Sequence, residues 1–497
     1  MDVFSGMLEG LQVALSLKGI TFVLIGVFLG TIIGMLPGLG PITAIGVMIP
    51  ISYGMDPNLA LVMMAGIYYG AIFGGSTSSI LLNAPGVAGT VATSFDGYPM
   101  AQKGKAGKAL AIAAISSFAG GTIGVVLLML FAPLMAKVAI SFGPPEYFAL
   151  MLLALTAITS LSEGSVVKAL LAGVLGLMVA MIGIDGQTGT ARFTFGSVSL
   201  LSGIDFLVIA LGIYAMAEVF QLIKRGDDGS SSAMMRNIGS IRLTKGDVKE
   251  MAGPVGRQSI LGFIIGVLPG AGATIASFIA YITEKKIAKN PDEFGKGAIK
   301  GIAAPETANN AATTGAFVPL LSLGIPGSGT TAVLLGALMV MGIQPGPMLV
   351  TEKPALFWGV IMSMYVGNIF LLIINLPLIP YFARILDIPR PMLISLIAVF
   401  CLVGVYGISF NTFDLYLLLA FGILGFFLRK FKFPAAPFIL AFILGDMLEQ
   451  SLRKTLTISD GDYSIFLDRP IAMSFLVLAL LSLLLPVIIG FYRRMKK

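Results

Sequence analysis

The chain has 497 residues, 57% hydrophobic and only 11% charged, where soluble globular domains carry about 25% charged residues. Its formal charge of +7 sits in Lys and Arg between apolar runs, the distribution that sets membrane topology and not that of a nucleic-acid binder. With no histidine and one cysteine, Cys401, imidazole or thiolate metal sites, Ser–His and Cys–His catalysis and an intrachain disulfide are excluded.

Apolar runs of about twenty residues recur throughout, each long enough to cross a bilayer core. The expected fold is an all-α polytopic membrane protein, since the short alternating segments of a β-barrel are absent. Residues 1–17 form an N-terminal segment without a basic n-region or small-residue cleavage site, so no removable signal peptide is expected. The first membrane unit, 18–223, opens with GMLPGLGPITAI (34–45), which sets Pro37, Gly38 and Gly40 inside an apolar run. GGSTSSI (74–80) follows, with Ser76, Thr77 and Ser78, then Asn83 and a second break, NAPGVAGT (83–90), containing Gly86. QKGKAGK (102–108) is a basic loop.

The Gly-, Ser- and charge-rich stretch within 224–257 reads as a linker. The second unit, 258–492, opens with GVLPGAGATIAS (266–277), carrying Gly270, Gly272 and Thr274. The basic loop EKKIAKNPDEFGKGAIK (284–300) precedes IAAPETANNAATTGAF, with Glu306, Asn309 and Asn310. The fourth break, GIPGSGTT (324–331), holds Gly327, Ser328, Gly329 and Thr330. An extracytoplasmic loop is expected over 446–470, and RRMKK (493–497) reads as a basic cytoplasmic tail.

The two units resemble each other in order: GMLPGLG with GVLPGAG, LLNAPGVAGT with LSLGIPGSGT, APLMAKVAISFGPPEYF with LIPYFARILDIPRPML, and VVKALLAGVLG with FDLYLLLAFGILG. Corresponding loops alternate in charge. Residues 284–300 are basic where 52–58 are not, and 102–108 are basic where 351–355 are nearly neutral. Basic loops face the cytoplasm, so the expectation is two inverted-topology repeats, an architecture of secondary transporters. Residues 257 and 284 then share the cytoplasmic side, and the 26 residues between them suit a re-entrant hairpin or two half-helices.

A half-helix N-terminus attracts anions, and unwound carbonyls beside it can hold Na⁺. The four breaks therefore point to one anion site near the bilayer midplane. Gly38, Gly40, Gly86, Gly270, Gly272, Gly327 and Gly329 would offer backbone groups, with polar contacts from Ser76, Thr77, Ser78, Asn83, Ser328 and Thr330. Glu306, Asn309, Asn310 and Thr274 are the candidates for ion coupling, because an ionisable group in a membrane segment marks function by default. The competing reading puts Glu306 at the cytoplasmic mouth, paired with Lys296 or Lys300. The P-loop lysine is missing from GIPGSGTT, and neither histidine ligands nor paired intramembrane acids are present for an intramembrane enzyme. A passive organic-anion channel stays open at this level.

GMLPGLGPI, GGSTSSILLNAPG, DGYPMAQKGKAGKAL, FGPPEYFAL, GVLPGAGATIASFIAYITEKK, FGKGAIKGIAAPETANNAA and LGIPGSGTTAVLLGALMVMGIQPGP resemble the large membrane subunit of the bacterial tripartite tricarboxylate transporters (TctA-like). The likeness runs through essentially the whole chain. It implies a multi-pass subunit of the bacterial inner membrane that is not an enzyme and has no cofactor. Its partners would be a small membrane subunit and a periplasmic solute-binding protein, with a homo-oligomer left open. The coupling ion would be Na⁺ and the substrates tricarboxylates or related organic carboxylates.

Overall fold

The computed structural model describes residues 3–36, 39–52, 54–161, 165–225, 238–270, 272–378, 381 and 390–495. The first half comprises α1 (Val3–Leu15), α2 (Leu17–Met35), α3 (Gly40–Ser52), α4 (Pro57–Leu82), α5 (Val91–Met100), α6 (Ala106–Ala139), α7 (Pro144–Leu161) and α8 (Val166–Ala180). A two-residue antiparallel ladder, β1 (Gly183–Ile184) with β2 (Ala191–Arg192), precedes α9 (Phe206–Ala210). A π-helical stretch, Leu211–Met216, joins α9 to α10 (Ala217–Arg225). The second half comprises α11 (Lys245–Val267), α12 (Gly272–Ile287), α13 (Ile299–Gly315), α14 (Phe317–Leu323), α15 (Gly329–Val340), α16 (Leu349–Glu352) and α17 (Pro354–Asn375). After it come α18 (Arg390–Ser409), α19 (Thr412–Lys430), α20 (Ala435–Ile458), α21 (Ile465–Asp468) and α22 (Pro470–Met495). Among the described residues seven helical segments are long and apolar enough to cross a membrane. The chain is an all-α polytopic membrane protein.

The breaks follow from local chemistry, and several positions of the two halves share the same backbone geometry. A residue before proline is pushed out of the α region. Leu36, before Pro37, and Leu268, before Pro269, both turn extended (ψ 113° and 121°) and donate N–H to Ile33 and Ile265. The chain re-enters a helix at Gly40 (φ 63°) and Gly272 (φ 59°), conformations that glycine adopts at low cost. At the other pair of breaks, α4 ends on Asn83 (φ 53°) and α14 on Gly324 (φ 71°), each in the left-handed region. Ser328 and Thr331 then cap α15 reciprocally.

Packing repeats as well. α2 lies along α4 as α11 lies along α13. Gly26, Gly30 and Gly34, spaced by four, meet the backbone of Met63, Ile67 and Ala71. Gly262 and Gly266 meet Ala308 and Ala312 in the same manner, small residues letting helix backbones approach where lipid supplies no hydrophobic drive. The halves also interlock, because α6 packs on α13 and α17 on α4. The N-terminal segment is itself helical: Gly6 and Gly10 of α1 lie against Trp358 of α17.

The α11–α12 pair is a hairpin whose ends return to each other. Arg257 donates to Glu284 at 3.0 and 2.8 Å, and Gln258 reaches the same carboxylate at 2.8 Å. Segments expected on one face of the membrane meet at this end. Lys103 donates to the Lys296 carbonyl (2.6 Å), Lys108 pairs with Asp247 (2.7 Å), and Asp96 accepts N–H groups from Gly295, Gly297 and Ala298.

Residues 446–458 correct the expectation of a loop over 446–470, for α20 continues to Ile458. Polar side chains extend this helix because they have partners. Arg453 pairs with Glu449 one turn back, and both join Asp185 and Arg192 of the β1–β2 region. The N–H groups of Gln187 and Thr188, with Arg453 beside them, hold the Asp185 carboxyl down at about 2. The segment 384–390, in which Arg384 and Arg390 outnumber Asp387 and which the basic-loop rule therefore assigns to the cytoplasmic side, falls outside the described residues except for Arg390.

Candidate functional site

A cavity of about 670 Å³ is lined by all four breaks: Gly40–Thr43, Pro85–Gly89, Gly270 with Gly272–Ile275, and Ser328–Thr330. Four helices begin at its wall, α3, α12, α15 and α20, the last contributing Ala435 and Ala436 behind Pro434. Their positive dipole ends converge on one volume. In α15 the Ser328 side chain serves the N–H of Thr331, so the first turn keeps N–H donors for a ligand. Tyr68, Ile72, Tyr214 and Arg429 complete the lining, with the Tyr68 hydroxyl 3.2 Å from that of Ser328.

Arg429 is the charged side chain among the lining residues. It is held by Glu218 and by the Tyr214 carbonyl (3.0 Å), which fixes its position without filling its five donors. Tyr214 is among the lining residues and only 8% exposed, and its hydroxyl is buried without a hydrogen-bond partner. Behind Gly89, Asn309 is fully buried with both side-chain polar atoms unpartnered. Buried polar groups are nearly always satisfied. Four helix N-termini and an arginine give the cavity wall the donors and positive potential that suit an anion.

Gly40, Gly86, Gly270, Gly272, Thr274, Ser328, Gly329 and Thr330 line this cavity. Gly38 lies outside the described residues. The Gly270 N–H is committed to the Gly327 carbonyl (2.9 Å), so it ties the third break to the fourth and is not offered to a ligand. Asn83 is exposed and ends α4. Ser78 bonds the Gly75 carbonyl within its own helix.

Ser76 turns to another centre. It donates to Glu306 Oε2 (2.7 Å), as does Ser117 of α6 (2.8 Å), while Thr93 of α5 donates to Oε1. Glu306 is fully buried and makes no ion pair among the described residues. It is therefore remote from Lys296 and Lys300 in its bonding. Asn310 donates to the Glu306 carbonyl (3.0 Å). Sequence reasoning missed Arg429, Tyr214, Thr93 and Ser117. Arg429 was legible only as a topological charge at a helix end, and hydroxyls on separate helices carry no shared spacing.

Helices broken around one polar cavity are an arrangement characteristic of secondary transporters. The chain belongs to the tripartite tricarboxylate transporter TctA family, whose model matches residues 20–440. It is 46% identical over 480 residues to an uncharacterized 52.8 kDa protein of the TAR-I ttuC' 3' region of Agrobacterium vitis, covering 97% of this chain and 95% of that one. A protein of the TAR-II ttuC' 3' region of the same organism is 48% identical over 224 residues, 45% of this chain and 93% of its own length. No solved structure matches.

Proposed function

We propose that the chain is the large transmembrane subunit of a tripartite, ion-gradient-driven importer of tricarboxylates or related organic carboxylates. The observation that carries this reading is the cavity lined by four helix N-termini together with Arg429. A carboxylate supplies the acceptors that such a wall requires, and about 670 Å³ lies within the range of small-molecule sites. In this reading the units 18–223 and 258–492 are inverted repeats joined by a cytoplasmic linker, and the C-terminus is cytoplasmic in the bacterial inner membrane. A small membrane subunit and a periplasmic binding protein complete the machine, and Na⁺ is the coupling ion. The buried, uncompensated carboxylate of Glu306 favours ion coupling over a passive channel, which has no need of one.

The test is uptake into proteoliposomes holding both membrane subunits and the binding protein. A panel of carboxylates is offered under Na⁺ and proton gradients imposed separately. Accumulation that follows the Na⁺ gradient is expected. Absence of accumulation under either gradient removes the symporter reading, and flux that persists after the gradients collapse establishes a channel.

A further inference from the structure

Beside the Glu306 cluster lies a small void of about 10 Å³, lined by Ser76, Thr77, Ser117 and Asn375 among apolar side chains. This is about the space of one water-sized particle. It shares no lining residue with the anion cavity. The Asn375 amide nitrogen is committed to the Leu371 carbonyl (3.0 Å), leaving its Oδ1 buried without a partner. Asn375 is also the last residue of α17, where the helix dipole presents its negative end. The Ser76 and Ser117 hydroxyls spend their protons on Glu306 Oε2, so their remaining capacity is as acceptors. The void is thus lined by residues that carry hydroxyl lone pairs and an orphaned amide oxygen, with the Glu306 carboxyl one hydroxyl layer behind and no Lys or Arg paired with it among the described residues.

We propose that Ser76, Ser117 and Asn375, backed by the charge of Glu306, form a binding site for one dehydrated monovalent cation of the size of Na⁺. All-oxygen ligation suits a hard cation. A proton on Glu306 would neutralise the charge but would leave the void and Asn375 Oδ1 unfilled. The cation relieves the cost of the buried carboxylate and satisfies the orphaned oxygen in one step. The ligands come from α4, α6 and α17 and the charge from α13, so occupancy draws the two halves together. The role in transport rests on the ion-gradient reading above; the binding itself rests on this geometry.

The experiment is thermal unfolding of the purified full-length chain in detergent, with NaCl, KCl and choline chloride compared at constant ionic strength and pH. Na⁺ is expected to raise the melting temperature with saturation, as a ligand of the native state does. Glu306→Gln and Asn375→Leu should each raise the Na⁺ concentration for half-effect about tenfold or more, and Ser117→Ala serves if either fails to fold. Asn375→Asp, which adds charge in the same shape, should tighten the response. The proposal is overturned if Na⁺ and K⁺ act alike on the unsubstituted protein, or if the response follows pH and not Na⁺. It is equally overturned if the Gln and Leu variants keep the unsubstituted response, or if Asn375→Asp loses it. No substrate or partner is present, so failed carboxylate uptake in liposomes would leave this result standing, and failed Na⁺ binding would leave uptake to be judged separately.

Discussion

At the scale of single residues the proposed anion site rests on Arg429 more than on any glycine. Its guanidinium is poised by Glu218, which is 2% exposed, and by the Tyr214 carbonyl. A charge-assisted hydrogen bond contributes about 1.5–3 kcal/mol, so Arg429→Gln should weaken carboxylate binding by about 10- to 100-fold. Removing the arginine also orphans Glu218, which destabilises a protein by about 3–5 kcal/mol when the remaining charge is buried. The double variant Arg429→Gln/Glu218→Gln should therefore recover thermal stability without recovering binding. Isotherms and melting curves on the same preparations check this, and binding retained in either variant would remove Arg429 from the site. Tyr68 lines the same cavity as a positioning group, its hydroxyl 3.2 Å from that of Ser328 at the α15 cap.

At the scale of elements the short helices explain why there is a cavity at all. α3, α12 and α15 have 13, 16 and 12 residues, which at 1.5 Å per residue is about 18–24 Å, less than a ~30 Å hydrocarbon core. Each starts at a break and runs away from it, so its uncapped N–H groups lie at depth and need either a ligand or protein partners. The long helices that carry these breaks are seated by glycine seams. A Cβ on Gly266 would run into the Ala312 carbonyl, whereas one on Gly256 of the same helix meets open space. Gly266→Ala should destabilise the protein by about 1–3 kcal/mol through overpacking. Gly256→Ala should stabilise α11 by up to about 0.8 kcal/mol through helix propensity. Melting temperatures of the pair, moving in opposite directions, are the check; a shared sign would mean that the α11–α13 seam does not set the packing.

At the scale of the whole molecule the halves are latched at the end where the basic segments gather. Asp96 of α5 accepts three N–H groups from the loop between α12 and α13, at 2.7–2.9 Å, and the Tyr281 hydroxyl at 2.9 Å. One carboxylate of the first half thus organises a loop of the second. Asp96→Ala would orphan those donors, at about 1–3 kcal/mol for each one that water does not reach. Faster amide exchange over 295–298, read by mass spectrometry in detergent, is expected; unchanged exchange would show that the loop holds its shape without Asp96. Lys108–Asp247 and Arg257–Glu284 add further ties at this end. The Glu306 cluster, with hydroxyls from α4, α5 and α6 on a carboxylate of α13, ties the interior.

Much of this was legible in the chain before any fold. Composition alone demanded bilayer-spanning helices, and LPG and PG breaks follow from proline's effect on its preceding residue and glycine's freedom at positive φ, both purely local. The likeness between the breaks of the two halves was legible for the same reason: Leu36 and Leu268, or Asn83 and Gly324, meet similar local chemistry and adopt the same backbone region. That the four breaks share one cavity required only that small, polar, broken backbone be buried together. The tertiary structure decided which side chains go where. Ser76 and Thr90 lie near breaks in sequence, yet helix rotation turns Ser76 to Glu306 and Thr90 to Ser79 and the Gly75 carbonyl. Arg429 and Tyr214 reach the cavity from helical segments that carry none of the four breaks, through contacts more than two hundred residues apart. Sequence spacing reports neighbours on one helix; an ion or anion site assembled from several helices is set by their packing, which long-range contacts alone determine.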